Sequence, residues 1–200
     1  AAERAGELTK RLLVFSRREV MEPRLLDLNE TVQELTKMIQ RVLGGSITLN
    51  VQCAGEQAMV NADEAMLDQV LMNLAVNARD AMSGEGALSI KTGVKEIDRG
   101  TLRMHPDLSS GPYAFIRVAD TGCGIPEELL PRIFEPFYTT KESGKGTGLG
   151  LSIVYGIVKQ HKGCINVTSR VGAGTAFEVF LPLAQSASQS TRSETPALAA

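Results

Sequence analysis

The stretch LDQVLMNLAVNARDAM, residues 67–82, lays two stripes along one helix. Met66, Leu67, Val70, Leu71, Leu74, Ala78 and Met82 recur every three or four positions, which at 3.6 residues per turn puts them on one side. Gln69, Asn73, Asn77 and Asp80 stand at i, i+4, i+8 and i+11 on the other. So wide an apolar face needs another layer to cover it, and Asp63 just upstream is placed to cap the first turn. A polar face is what any surface helix has. Side-chain amides, however, can also ligate Mg²⁺ beside a triphosphate without adding negative charge.

Upstream of this helix, residues 30–43 read as a second amphipathic helix through Val32, Leu35, Ile39, Val42 and Leu43, with Asn29 as its cap and Gly44-Gly45 as its stop. Residues 46–52 alternate like a strand, and 57–60 form a shorter one. Downstream, Ser83–Gly86 turns the chain into a strand at 87–94. Residues 95–111 are polar and interrupted by Gly and Pro, so they leave the sheet before a strand at 113–119 runs into Asp120. A short helix over 127–134, a flexible loop over 135–148 and a helix over 149–162 follow. Strands at 163–170 and 175–183 close on Val171-Gly172-Ala173-Gly174, a hairpin turn whose glycines supply positive φ. This order predicts an α+β fold, a two-layer sandwich with helices on one face of a mixed sheet.

The ends read differently. Residues 3–20 carry Leu8, Leu12 and Phe15 at helical spacing, a face that needs a partner helix. Residues 185–200 are mostly Ala, Ser, Gln and Thr, too poor in large apolar side chains to order themselves, and read as a linker or tail. The core domain is therefore 24–184.

Bulk properties exclude several classes. Of 200 residues 43% are hydrophobic, none is Trp, and the net charge is −2 with both signs interspersed, so nucleic acid is not expected as a partner. Three cysteines, Cys53, Cys123 and Cys164, stand far apart without ligand spacing. Buried or half-buried thiols in a reduced, cytoplasmic setting are expected, rather than a zinc site or disulfides. No apolar run is long enough to cross a bilayer. The segment itself therefore has no membrane contact, although a parent protein can be anchored elsewhere.

Three further segments carry chemistry. Asp120-Thr121-Gly122-Cys123-Gly124-Ile125-Pro126 follows a strand directly, where a carboxylate can accept from an exocyclic base amine and glycines let a flat ring approach. Ile133-Phe134-Glu135-Pro136-Phe137-Tyr138-Thr139-Thr140-Lys141 packs three aromatics into five residues beside the loop. They form either a peg for a lid or a small local core, with Lys141 aimed at phosphate. Gly144-Lys145-Gly146-Thr147-Gly148-Leu149-Gly150-Leu151 opens a helix with bare amides that suit an anion. It is neither a Walker A loop nor a dinucleotide fingerprint.

Taken in this order, the four segments resemble the ATP-binding catalytic domain of sensor histidine kinases, in the superfamily of the gyrase B subunit, MutL and the heat-shock chaperone. They correspond to the N, G1, F and G2 boxes, and the resemblance runs from about residue 24 to 184. It implies a Bergerat-type sandwich that binds ATP with Mg²⁺. By position it implies Asn77 as the magnesium ligand, with Asn73 supporting metal and phosphates and serving, with Lys141, in catalysis. Asp120, Gly122, Gly124, Ile125 and Thr175 would take the base. Phe137, Thr140, Lys141, Gly146, Thr147, Gly148, Leu149, Gly150 and Leu151 would form the lid and phosphate cradle. Asp80 stands where many relatives have a basic residue, so Lys141 or Lys145 would take over phosphate neutralisation.

Hydrolysing relatives carry a Glu base where this chain has Asn73, which cannot take a proton from water at neutral pH. Phosphoryl transfer to a positioned acceptor is therefore expected, with a superfamily ATPase or a protein-serine kinase as the alternative. The acceptor histidine is not in the chain: His105 precedes Pro106 and His161 precedes Lys162 at a helix end. Residues 1–22 resemble the second helix of the dimerisation and phosphotransfer hairpin, which implies a homodimer, a first helix bearing the histidine ahead of residue 1, and a response-regulator receiver as the next partner. By itself the chain is not expected to autophosphorylate.

Overall fold

The structure, a computed structural model, describes residues 21–97, 108–142 and 146–184 together with Gly100 and Arg103. The expected helix at 3–20, the tail at 185–200, His105, Gly144 and Lys145 lie outside the described residues. The elements are β1 (Arg24–Asp27), α1 (Leu28–Leu43), β2 (Ile47–Gln52), β3 (Met59–Ala62), α2 (Glu64–Met82), β4 (Gly86–Glu96), β5 (Pro112–Asp120), a 3₁₀ turn (Glu127–Arg132), α3 (Gly150–Gln160), β6 (Cys164–Arg170) and β7 (Gly174–Pro182).

Five strands form one sheet in the order β2-β4-β5-β7-β6. Only the β2–β4 pair is parallel, so the sheet is mixed. Period-2 alternation puts Leu88 and Ile90, then Ala114, Ile116 and Val118, then Phe177, Val179 and Leu181 into one core with the apolar stripes of all three helices. The α+β two-layer sandwich expected from the element order is what forms. At 0% exposure Val32, Ile39, Val70 and Val154 tie the three helices to that core. Truncating Ile39 to Ala costs about 2–5 kcal/mol.

Three local readings change. Asp27, not Asn29, caps α1: its carboxylate accepts from the amides of Asn29 (3.0 Å) and Ala58 (3.2 Å). Asn29 is buried instead, accepting from the Thr92 hydroxyl and donating to the Glu56 carbonyl. Its amide is consumed in bracing α1 against β4, so it is not available for capping. β1 pairs antiparallel with β3 as a separate two-stranded ribbon, whose four residues are too short for alternation to show in sequence. The expected helix at 127–134 is a 3₁₀ turn, because Pro131 supplies no amide for the longer hydrogen-bonding pattern.

Of the cysteines, Cys164 is buried, with burial pushing its thiol up to about 11, and Cys53 is half-buried. Cys123 departs from expectation and is exposed, because it rides on the glycine turn after β5. Among the described residues no helix is long and apolar enough to cross a membrane.

Candidate functional site

Alternation along β5 continues past Ala114, Ile116 and Val118 to aim Asp120 at the helix layer. In the β5–β7 register Val118 faces Phe177 and Ala119 faces Ala176, so one more step brings Asp120 beside Thr175. Asp120 Oδ1 accepts from the Gly122 amide at 2.8 Å and the Thr175 amide at 3.3 Å. Burial lifts the Asp120 carboxyl above its ordinary 3.8, against the pull of those two amides.

Tight backbone contacts build this end. A Cβ on Gly122 would stand 2.7 Å from the Ala81 carbonyl carbon of α2. Gly124 has φ +72 and lies against the Arg170 carbonyl; Gly174 has φ +87 and lies against the Asp120 carbonyl. The Cys123 amide donates to Ala81 O (3.0 Å) and the Gly172 amide to Cys123 O (2.8 Å), so the turn after β5 is laced to both α2 and the hairpin.

At the other end, α3 starts at Gly150 without a side-chain cap, leaving first-turn amides for an anion. A Cβ on Gly150 would meet the amide groups of Asn77 (3.7 Å) and Asn73 (3.9 Å), so the helix start sits on the polar stripe of α2. The loop before it is held where the Phe137 amide donates to Gly148 O at 2.9 Å, with Phe137 and Gly148 both at φ +66. Lys141 Nζ reaches Asp80 Oδ2 at 2.5 Å, and Arg79 binds the same carboxylate at 2.7 Å. Burial works to raise Asp80, but hydrogen bonds from Lys141 and Arg79 outweigh it and hold its carboxyl below the ordinary value.

Between the two ends lies a cavity of about 510 Å³. Asn73, Asn77, Asp80, Asp120, Gly124, Ile125, Thr140, Lys141, Gly146, Thr147, Gly148, Gly150, Leu151 and Thr175 line it. Gly122, Leu149 and Phe137 do not. Gly122 is spent on packing against α2, and Leu149 is buried with the core side chains. Phe137 is 54% exposed, so it engages the loop through its backbone and is no hydrophobic peg. Phe134 does pack, at 5.5 Å from the Tyr155 ring.

Sequence reading missed Arg79, Cys123, Tyr138 and Thr139, and the apolar wall of Val76, Leu129, Ile133 and Phe177. Arg79 belongs to neither stripe of α2 and arrives by the length of its side chain. Tyr138, under the Arg132 guanidinium at 4.5 Å, was visible only as one aromatic among three. His161 is buried, with Nε2 accepting from the Asp63 amide at 3.0 Å and Nδ1 against Ile157 O at 2.8 Å. It is a bolt between α3 and the start of α2.

Residues 62–185 match the family model described as histidine kinase-, DNA gyrase B- and HSP90-like ATPase. The sensor kinase CckA of Brucella abortus (strain 2308) is 46% identical over 90% of this chain and 19% of its own length. The signal transduction histidine-protein kinase AtoS of Escherichia coli (strain K12) is 34% identical over 89% of this chain and 27% of its own. The chain thus spans only about a fifth to a quarter of these two relatives. Among solved structures, the nucleotide-free catalytic domain of histidine kinase ThkA superposes with TM-score 0.60 at 32% identity, covering 82% of this chain and 97% of that one. Full-length ShkA in complex with AMPPNP superposes with TM-score 0.64 at 25% identity, over 84% of this chain and 32% of that one. The chain belongs to the histidine kinase-, DNA gyrase B- and HSP90-like ATPase family, and its likeness within that family is to the catalytic domains of sensor histidine kinases.

Proposed function

We propose that the cavity binds ATP with Mg²⁺ and that the parent protein is a two-component sensor histidine kinase acting on the cytoplasmic side. The supporting observation is that Asn77, Asp120 and Gly148, from three distant stretches, border one cavity. The base would sit between Asp120, Gly124, Ile125 and Thr175, and the phosphates between the α3 start and the Asn73–Asn77 stripe. That solved ShkA holds AMPPNP is in keeping with a triphosphate here.

The donor set fits a magnesium ion. Among the described residues, Asn73 Nδ2 is buried without a hydrogen-bond partner. Amide nitrogen and oxygen exchange by a flip, so this end of Asn73 lacks a polar ligand whichever atom points there. Asn77 would hold the ion and Asn73 would support it and the phosphates. When bound, Mg²⁺ supplies charge neutralisation across the phosphate oxygens.

Asn73 offers no base for water, so the site is built to align the terminal phosphoryl for an incoming nucleophile. Lys141 and Arg79 bring positive charge to the same rim, and bound phosphate would compete with Asp80 for the lysine. His161, with both ring nitrogens engaged and buried, is no acceptor. The acceptor is a histidine of the dimerisation hairpin in the homodimeric parent, and the phosphoryl then passes to an aspartate of a response regulator.

The test is titration with ATP and Mg²⁺, followed by transfer to an added histidine-bearing hairpin. Acid-labile phosphate on that hairpin with slow phosphate release is the expected result. Rapid release without transfer would move the reading to an ATPase, and acid-stable phosphoprotein to a serine kinase.

A further inference from the structure

We infer that Asp80 is an exchangeable counter-ion: it holds Lys141 until phosphate oxygens take the lysine from it, and it thereby limits the affinity for phosphate-bearing nucleotides. This deepens the ATP reading above and rests on it.

The Asp80 carboxylate divides its two oxygens between two cations. Oδ1 accepts from Arg79 twice, from Nε at 3.0 Å and from Nη2 at 2.7 Å, and Oδ2 accepts from Lys141 Nζ at 2.5 Å. The two cations are not held alike. Arg79 Nη1 also donates to the Val42 carbonyl at 3.4 Å, which pins the guanidinium between α1 and α2. The Lys141 ammonium, among the described residues, has Asp80 as its one hydrogen-bond partner. Its stem runs past Gly146, where a Cβ would stand 3.1 Å from Lys141 Cδ. A lysine stem turns about several bonds, so the ammonium can change partner while the backbone stays.

Among the described residues lining the phosphate end, Arg79 and Lys141 are the cations and Asp80 the anion. Asp80 lies one turn beyond Asn77 on the same face of α2, and Asn77 lies against the α3 start. A triphosphate there meets a carboxylate of its own sign and a lysine already committed to it. Exchange costs little, because Arg79 stays. Once the lysine leaves, the carboxylate keeps two charge-assisted hydrogen bonds and is not left bare. Where a basic residue would add to phosphate affinity, Asp80 subtracts from it. It is a positioning residue that acts through Lys141.

The experiment is calorimetric titration of the full chain with MgATP and with adenosine, which carries no phosphate, at low and high salt. Asp80→Asn should bind MgATP about threefold to fivefold more tightly at low salt, the worth of a partly exposed ion pair, and less so as salt rises. Adenosine affinity should stay. In the Lys141→Ala background, which has no lysine to release, the same change should give a clearly smaller gain. An equal gain in both backgrounds would mean that Asp80 acts by its charge alone, and the exchange is overturned. Weaker MgATP binding in Asp80→Asn would mean that Asp80 serves the phosphates or their metal, and an unmoved affinity that the pair has no bearing on binding; either overturns the inference. A parallel change for MgATP and adenosine would mean that Asp80 shapes the whole cavity, and overturns it as well. Should Asp80→Asn unfold, Asp80→Ser, equally uncharged, must tighten MgATP in the same way. Wild type that binds neither ligand removes the ATP reading itself, whereas MgATP binding that ignores Asp80 removes this inference alone.

Discussion

The two ends of the cavity are built by different means. At the base end, Asp120, the turn after β5 and the 171–174 hairpin are joined by backbone contacts, amide hydrogen bonds and the close-packed glycines Gly122, Gly124 and Gly174, where a Cβ would collide with backbone. At the phosphate end, Gly148 closes on the Phe137 backbone in the same way, but the charged groups Lys141, Arg79 and Asp80 meet by side chains that are between a quarter and two-fifths exposed. The base end is preorganised by the fold, so changes to its backbone contacts act on stability and recognition together. The positive charge that Lys141 brings to the phosphate end is laid on top of the fold by an exposed side chain, so a change there acts on charge and leaves the fold alone.

The largest expected effect lies where that difference is sharpest. Gly172 and Gly174 share one hairpin and a positive φ, +76 and +87. A Cβ on Gly174 would collide with the Asp120 carbonyl, whereas one on Gly172 meets nothing within 4 Å. Gly174→Ala should cost about 2–4 kcal/mol from clash and strain combined, and Gly172→Ala about 1 kcal/mol from strain alone. Chemical denaturation of both measures this. Equal losses would mean that the base end is not held by close backbone approach.

Next is Asp120→Asn. The amide keeps an oxygen for the Gly122 and Thr175 hydrogens, so melting should barely move, while ATP affinity should fall by about 1.5–3 kcal/mol, the worth of a hydrogen bond to a charged group. The pH dependence carries the same signature. Burial raises the Asp120 carboxyl, so between its ordinary and folded values it is protonated in the folded chain and ionised in the unfolded one. Its protonation therefore favours folding as pH falls through the folded value, yet removes the acceptor for the base. Asp80 is lowered, so its stabilising contribution is present above the ordinary value and is lost only as pH falls through a folded value below it. In the mildly acidic window just above the ordinary carboxylate range, ATP affinity should drop with the Asp80–Lys141 pair intact. Asp120→Asn should be flat there. A flat wild-type profile would detach Asp120 from base recognition.

Much of this was legible in sequence, and the gaps have physical causes. α2 declared itself because its two stripes obey one period over 19 residues, and the positive-φ hairpin because its glycines stand alone between strands. Asn29 and Asp27 are both good caps by type; only the tertiary neighbours Ala58, Glu56 and Thr92 decide which of them is free to do it. Phe137 looked like a buried peg because aromatics usually are buried. Its left-handed backbone turns the side chain outward instead. Ser169 carried no signal at all, since its hydroxyl joins the Ile125 amide, the Gly174 carbonyl and Thr175 Oγ1, partners from two other segments that no local pattern can show.

The smallest expected effect probes the phosphate end alone. Lys141 has a side chain 36% exposed and a charge shared with Asp80, so solvent and salt screen whatever it gives to a phosphate. Lys141→Ala should weaken MgATP by about 1 kcal/mol at low salt and less as salt rises. It should leave adenosine affinity unchanged and shift stability by no more than about 0.5 kcal/mol. Titrating the variant with MgATP and with adenosine at two ionic strengths separates the ends directly. Adenosine carries no phosphate, so any loss of its binding has to reach Asp120 through the fold. A parallel loss for both ligands would mean that Lys141 shapes the whole cavity, and the division between a backbone-built end and a side-chain-built end would not hold.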